Sequence, residues 1–228
     1  MKEIFSILFT VVFSYLFGSL NSAIIVCRLW KRQDIRDYGS KNAGLTNVLR
    51  VYGKGPALAT LLSDLAKGVI AVVVCRVVVH QVMDVVFFDD PRFIGYVAGL
   101  TVMLGHCFPI FYGFHGGKGV LLAATTLLAI DPITCVLSIA VFALLVALTK
   151  YVSVGSICAA VAYPTFTFIL QNFVYEDGYA VLPNTMIAFL ICILIIYLHK
   201  PNIKRLMAGT ENKFESKKKN DQTSDQSH

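Results

Sequence analysis

Six windows of this chain are apolar over lengths that match membrane hydrocarbon: Ile4 to Cys27, Pro56 to Val79, Phe93 to Tyr112, Val120 to Thr149, Tyr151 to Val174 and Val181 to Leu198. A spanning helix takes ~20 residues at ~1.5 Å of rise each, so five windows fit one crossing and Val120 to Thr149 is too long for one. Asp131-Pro132 divides that window, because proline cannot continue a helix hydrogen-bond ladder and aspartate is costly in mid-membrane. The expectation there is a short hairpin, with Asp131 near the surface and Lys150 back on the starting side. An all-α, polytopic membrane helix bundle of about seven transmembrane helices follows. Composition agrees: 56% of residues are hydrophobic and 15% charged, with a mean hydropathy of +0.68, which excludes an ordinary soluble enzyme. Residues 1–214 read as one membrane domain. Residues 215–228 are polar and aromatic-poor, and read as a disordered cytoplasmic tail.

Charge orients the bundle, since Lys and Arg gather in short cytoplasmic loops. Arg28, Lys31, Arg32, Arg36, Lys41, Arg50 and Lys54 face only Asp34 and Asp37 in one connection, so that loop is expected inside. The connection holding Asp84, Asp89, Asp90 and Arg92 is acidic on balance, whereas Lys118, Lys150 and the tail beyond Leu198 are basic. Seven crossings with the N-terminus outside and the C-terminus cytoplasmic satisfy all of these. A cleaved leader is the alternative for the first window. Its apolar run is longer than the ~7–15 residues of a signal core and meets Cys27-Arg28 rather than a small-residue cleavage site.

The six cysteines lie in or beside apolar windows without a C-x-x-C pair, so they are read as small apolar packing residues. Chemistry is expected in three polar segments on the cytoplasmic side. The first, Asp37 to Arg50, mixes glycines, hydroxyls, amides and cations: Ser40 and Thr46 offer hydroxyls, Asn42 and Asn47 amides, and Arg50 a planar fork suited to phosphate oxygens. The second, Gly113-Phe114-His115-Gly116-Gly117-Lys118-Gly119, opens directly into an apolar helix. Glycine lets backbone N–H groups approach an oxyanion, the helix N-terminus adds donors, and Lys118 supplies charge. It is not a nucleotide P-loop, because the spacing is too short and Gly119 stands where Ser or Thr is required. The third, His199 to Glu211, follows the last window. A headgroup-contacting turn, a re-entry turn and basic anchoring are the bland alternatives for the three. No hydrolase-type acid and base pair, no Ser/His/Asp order and no metal-ligand motif occurs.

These segments resemble the bacterial acyl-phosphate-dependent glycerol-3-phosphate acyltransferases, the PlsY family, over nearly the whole chain. The first motif is Gly39-Ser40-x-Asn42-x-Gly44-x-Thr46-Asn47-Val48-x-Arg50. The second is Gly105-His106-x-Phe108-Pro109 continuing to Gly116-Gly117-Lys118-Gly119-Val120. The third is His199-x-x-Asn202-Ile203-x-Arg205-Leu206-x-x-Gly209-x-Glu211. Asp64-x-x-Lys67-Gly68 and Tyr151-Val152-Ser153-x-Gly155-Ser156 also resemble connecting signatures of the family. Lys41 replaces the family's usual Gly, Leu45 a usual Ala, and Leu121 a commonly small residue.

The resemblance implies transfer of a fatty acyl group from acyl phosphate to the 1-hydroxyl of glycerol 3-phosphate, giving lysophosphatidic acid and phosphate in the first step of phospholipid synthesis. It places Ser40, Arg50, Lys118, His199 and Asn202 on glycerol 3-phosphate, and Thr46, Asn47, Gly116, Gly117 and Gly119 on acyl phosphate. Asn42, Arg205, Glu211, Asp64 and Lys67 take supporting roles, and the acyl chain lies among the helices. Asp64 and Lys67 are three apart, on one helix face, and are read as a structural ion pair. The hydroxyl's proton acceptor stays open between His199, for which anchoring is preferred, and the acceptor's own phosphate. The implied partners are the two substrates and the lipid bilayer, with no nucleic acid, metal or other cofactor. The expected form is a functional monomer in the bacterial plasma (inner) membrane. The rival from another class is an organic-phosphate or anion transporter, and a lipid-anchored scaffold is a third reading. Repeated halves, common in transporters, are absent from the sequence.

Overall fold

The computed structural model describes residues 1–175 and 180–213, and within them the regular structure is helical throughout. The tail, 215–228, lies outside the described residues. The helices are α1 (Lys2–Ser19), α2 (Ser22–Lys31), α3 (Leu45–Tyr52), α4 (Lys54–Val77), α5 (Phe93–Cys107), α6 (Val120–Ile130), α7 (Pro132–Thr149), α8 (Val152–Phe173), α9 (Val181–Leu198) and α10 (Lys200–Met207). Six stretches are long and apolar enough to cross a membrane: Lys2–Lys31, Lys54–Val82, Phe93–Tyr112, Pro132–Thr149, Val152–Phe173 and Val181–Leu198. The protein is thus a multi-pass helix bundle. α6, with 11 residues, is apolar but shorter than these.

The break at Asp131-Pro132 is present, and Asp131 is its cause. Its carboxylate caps α7, accepting from the Thr134 amide (3.1 Å) and hydroxyl (2.7 Å), with Pro132 in the first turn where its missing N–H is harmless. Asp131 is 3% exposed, because the Tyr175 hydroxyl also donates to it (2.8 Å) and the three donors replace water. The first apolar window is likewise interrupted, at Leu20-Asn21, where the Asn21 side chain accepts from the Ile24 amide (3.1 Å) and starts α2.

Between apolar helices in lipid, close backbone approach rather than hydrophobicity holds the pairs together, so small residues mark the contacts. A stripe at four-residue spacing, Ser6, Thr10, Ser14 and Gly18, is buried on α1. Thr10 bonds back to the Ser6 carbonyl (2.8 Å), and a Cβ on Gly18 would lie 2.1 Å from the Val102 carbonyl oxygen of α5. On α4, a Cβ on Gly68 would lie 1.9 Å from the Thr125 hydroxyl of α6. These contacts hold α1 against α5 and α4 against α6.

Candidate active site

Asn47 organises the first polar segment. Its amide nitrogen donates to the carbonyls of Ile35 (3.3 Å), Tyr38 (3.0 Å) and Asn42 (3.0 Å), while its oxygen accepts from the Ser40 N–H (2.9 Å). One buried side chain therefore pins a loop that has little regular structure of its own, leaving the Ser40 and Thr46 hydroxyls without side-chain partners among the described residues. Asp34 ties this loop to its neighbours. It receives Arg28 (2.8 Å) and Arg36 (2.8 Å), whose hydrogen bonds and charge, with the Arg36 bonds foremost, hold its carboxyl well below the usual carboxylate range. Arg36 also reaches the carbonyls of Tyr112 (2.6 Å) and His115 (3.2 Å), joining the first and second segments.

The glycines of the second segment do different work from that expected. The Gly116 N–H donates to the Cys107 carbonyl (3.0 Å) and the Gly117 N–H to the His106 carbonyl (3.2 Å). A Cβ at Gly116 would lie 2.0 Å from the His106 carbonyl oxygen, and one at Gly117 2.1 Å from the His106 ring. Gly116 and Gly117 thus seat the loop on the end of α5, and their amides are not open to an oxyanion. Gly119 does border the cavity described below. It takes φ +75°, a left-handed conformation natural to glycine, at the N-cap of α6. Beyond it the first-turn N–H groups of α6 have no intrahelical acceptor, as at any helix start.

The third segment closes the site. Lys118 Nζ donates to the Asn202 side-chain oxygen, Asn202 donates to Glu211 (2.7 Å), and Arg205 pairs with the other Glu211 oxygen (2.6 Å). Burial resists ionisation of Glu211, but the Asn202 and Arg205 donors outweigh it and hold the carboxyl below its usual range. Lys118 is pushed down to about 8, first by burial and then by Arg205 and Arg50, with Glu211 opposing. His199 is 3% exposed, and burial lowers it to about 4, so the ring is neutral at pH 7. Its Nδ1 lies 2.7 Å from the Ile195 carbonyl, which can only accept. The proton is therefore assigned to Nδ1, and Nε2 carries the lone pair.

These groups border a cavity of about 450 Å³. Ser40, Asn42, Thr46, Asn47, Arg50, Asp64, Lys118, Gly119, His199, Asn202, Arg205 and Glu211 all line it, so residues from all three segments converge; Gly116, Gly117 and Lys67 lie behind the wall. The rest of the cavity is mostly apolar and runs between α6, α7 and α8.

Beneath the polar end sits a buried cluster whose full extent was not anticipated. Asp64 accepts from Ser22 (2.7 Å) and pairs with Lys67 (3.1 Å), as the ion-pair reading expects, and it also faces His106 at 3.8 Å. Lys67 further donates to the Leu20 carbonyl (3.1 Å), one of those left open where α1 ends. The cluster thereby locks the α1–α2 break to α4 and α5. His106 belongs to the second motif, whose spacing assigns it no role, and Ser22 gives no signal beyond a hydroxyl in an apolar run.

Comparison with known proteins accords with this geometry. A family model described as glycerol-3-phosphate acyltransferase matches residues 8–209. A glycerol-3-phosphate acyltransferase of Clostridioides difficile is 39% identical over 216 residues, covering 95% of this chain and 99% of the relative. One of Shouchella clausii is 40% identical, covering 94% and 98%. Among solved structures, the glycerol 3-phosphate form of PlsY (YgiH), an integral membrane glycerol 3-phosphate acyltransferase, is similar with a TM-score of 0.78 and 34% identity, covering 92% of this chain and 96% of that one. Its lysophosphatidic acid form gives 0.75 and 33%.

Proposed function

The chain belongs to the glycerol-3-phosphate acyltransferase family, and from that premise we propose that it moves a fatty acyl group from acyl phosphate to the 1-hydroxyl of glycerol 3-phosphate. The products are lysophosphatidic acid and inorganic phosphate. One observation carries the reading: a single cavity joins a cationic, hydroxyl-bearing end to an apolar channel among the helices, the shape of an acyl phosphate meeting a second phosphate.

Arg50, Lys118, Ser40 and Asn202 hold the phosphate of glycerol 3-phosphate. Neutral His199 accepts from a glycerol hydroxyl through Nε2, which aligns the nucleophile without adding a like charge to the cations around it. Thr46 and the α6 N-terminus at Gly119 face the acyl phosphate, whose tail runs into the apolar channel. Asn47, Gly116 and Gly117 act by shaping the loops, and Asn42, Arg205, Glu211, Asp64 and Lys67 by supporting them. The hydroxyl oxygen attacks the acyl carbon, the bond from that carbon to the phosphate oxygen breaks, the leaving phosphate departs as a stabilised anion, and the proton released from the hydroxyl ends on a phosphate oxygen. Aligned donors suffice for such a good leaving group, and a covalent enzyme intermediate is unnecessary.

The distribution of Lys and Arg supports seven crossings with the N-terminus outside, α6 being the short one, and puts the site in the cytoplasm-facing half of a bacterial plasma membrane. The transporter reading has no comparable support. Purified full-length protein supplied with glycerol 3-phosphate and either acyl phosphate, acyl-CoA or acyl carrier protein tests the donor. Phosphate release and lysophosphatidic acid with acyl phosphate alone is the expected result, and turnover with only a thioester would overturn it.

A further inference from the structure

The cavity continues past the reacting groups, and Leu127 and Tyr163 are the lining residues farthest along α6 and α8 from its polar end, with Cys135 of α7 also in the wall. Along α8 its wall is formed on one face by Ser153, Ser156, Ala160 and Tyr163. The first three are small, and Tyr163 is the first bulky side chain met from the polar end. Ten residues of helix from Ser153 to Tyr163 rise ~15 Å, about half of the ~30 Å hydrocarbon core and so about one lipid tail deep.

Tyr163 is a fixed floor. It is 3% exposed, and its ring stacks on that of fully buried Tyr96, with centroids 6.4 Å apart. The Tyr96 hydroxyl accepts from Gln171 (3.0 Å), Gln171 accepts from Asn184 (3.0 Å), and Asn184 donates to Asp90 (2.8 Å). This chain of bonds ties α5, α8 and α9 together behind the tyrosine pair, so the floor cannot retreat without breaking a buried polar network. The Tyr163 hydroxyl itself has no partner among the described residues.

We infer that Tyr163 is the chain-length ruler of the enzyme, the surface against which the end of the acyl tail stops. The inference rests on the reading that acyl phosphate is the donor and that its tail occupies this channel. In a hydrophobic pocket one methylene more or less is discriminated by ~10–200-fold, so moving the floor by a side chain is measurable.

The test uses full-length protein in detergent, saturated with glycerol 3-phosphate, with kcat/KM measured for lauroyl, palmitoyl, stearoyl and arachidoyl phosphates. Tyr163→Ala is expected to raise the arachidoyl-to-palmitoyl ratio by about tenfold or more, and Ala160→Leu, which raises the floor, to lower the palmitoyl-to-lauroyl ratio by the same order. If Tyr163→Ala does not yield folded protein, Ala160→Leu decides alone. Wild-type turnover with ratios unchanged in the variants would overturn the ruler and leave the donor assignment standing. A wild type that uses no acyl phosphate of any length would overturn both.

Discussion

Lys118 Nζ donates to the side-chain oxygen of Asn202, 84 positions away, and so joins the glycine-rich segment to the first turn of α10. Asn202 passes the connection on to Glu211 (2.7 Å). Replacing Asn202 with Ala unpairs the buried end of a lysine and removes one donor from a carboxylate. Hydrogen bonds to charged groups contribute ~1.5–3 kcal/mol, so kcat/KM for glycerol 3-phosphate is expected to fall by ~10–100-fold. Steady-state kinetics check this; a change under about threefold would show that the contact is incidental.

The same lysine sets an alkaline limit. Burial and the neighbouring guanidiniums of Arg205 and Arg50 put Lys118 at about 8, below its ordinary value, so as pH rises through about 8 the free enzyme loses a charge from its phosphate site. kcat/KM for glycerol 3-phosphate is therefore expected to fall above that pH. Lys118→Arg, which stays charged, is expected to lower activity at pH 7 yet abolish that falling limb. A limb unmoved in the variant would assign it to another group.

How much of this was legible in the sequence follows from range. The apolar windows and the Asp131-Pro132 break are local, and each reappears as a helix or a helix end. Convergence of Ser40, Lys118 and His199 on one cavity was readable because charge placed their segments on one side. The duties of Asn47, Gly116 and Gly117 were not. Side-chain type says that an amide or a bare Cα is present, and only the folded backbone shows that Asn47 faces three carbonyls and that Gly117 lies against the His106 ring. The burial of Asp131 was not readable for the same reason: Thr134 is a local cap partner, but Tyr175, 44 positions on, reaches the carboxylate only in the folded bundle.

Asn47 and Thr46 are adjacent but should respond differently. Asn47→Asp keeps the acceptor for the Ser40 N–H and replaces the nitrogen that three carbonyls share with a carboxylate oxygen. The loop is expected to lose order at a cost of about 3 kcal/mol or more, lowering Tm and activity together. Thr46→Ala removes an exposed hydroxyl that has no side-chain partner among the described residues, and is expected to lower activity while Tm stays within about 1 °C. Thermal unfolding in detergent alongside kinetics separates the two.

Lys41 occupies a backbone conformation better suited to glycine. Its φ is +57°, in the left-handed region, where a side chain costs ~1–2 kcal/mol. Its side chain is exposed and lies outside the cavity lining, so it neither crowds nor reinforces the phosphate site. Lys41→Gly is expected to stabilise the protein by up to about 1 kcal/mol, the gain being reduced by the greater freedom of glycine in the unfolded chain, and to leave KM for glycerol 3-phosphate within about twofold. A severalfold rise in KM would instead make Lys41 part of the substrate field.

Asp64 and Lys67 form an ion pair at 3.1 Å with both side chains buried, and the pair has partners of its own in Ser22, Leu20 and His106. Removing one member leaves an unpaired charge in a low-dielectric interior, for which ~3–5 kcal/mol is typical. Asp64→Asn and Lys67→Met are each expected to lower Tm and impair activity severely, because the cluster fixes the α1–α2 break against α4 and α5. Combining them removes both charges and is expected to recover part of the stability, giving a coupling of ~1–3 kcal/mol in a double-mutant cycle. Activity need not return with it, since Asp64 also borders the cavity and its carboxylate faces His106 there. Additive losses in Tm would show that the two charges act independently, and would remove the pair as the device holding the polar loops over the bundle.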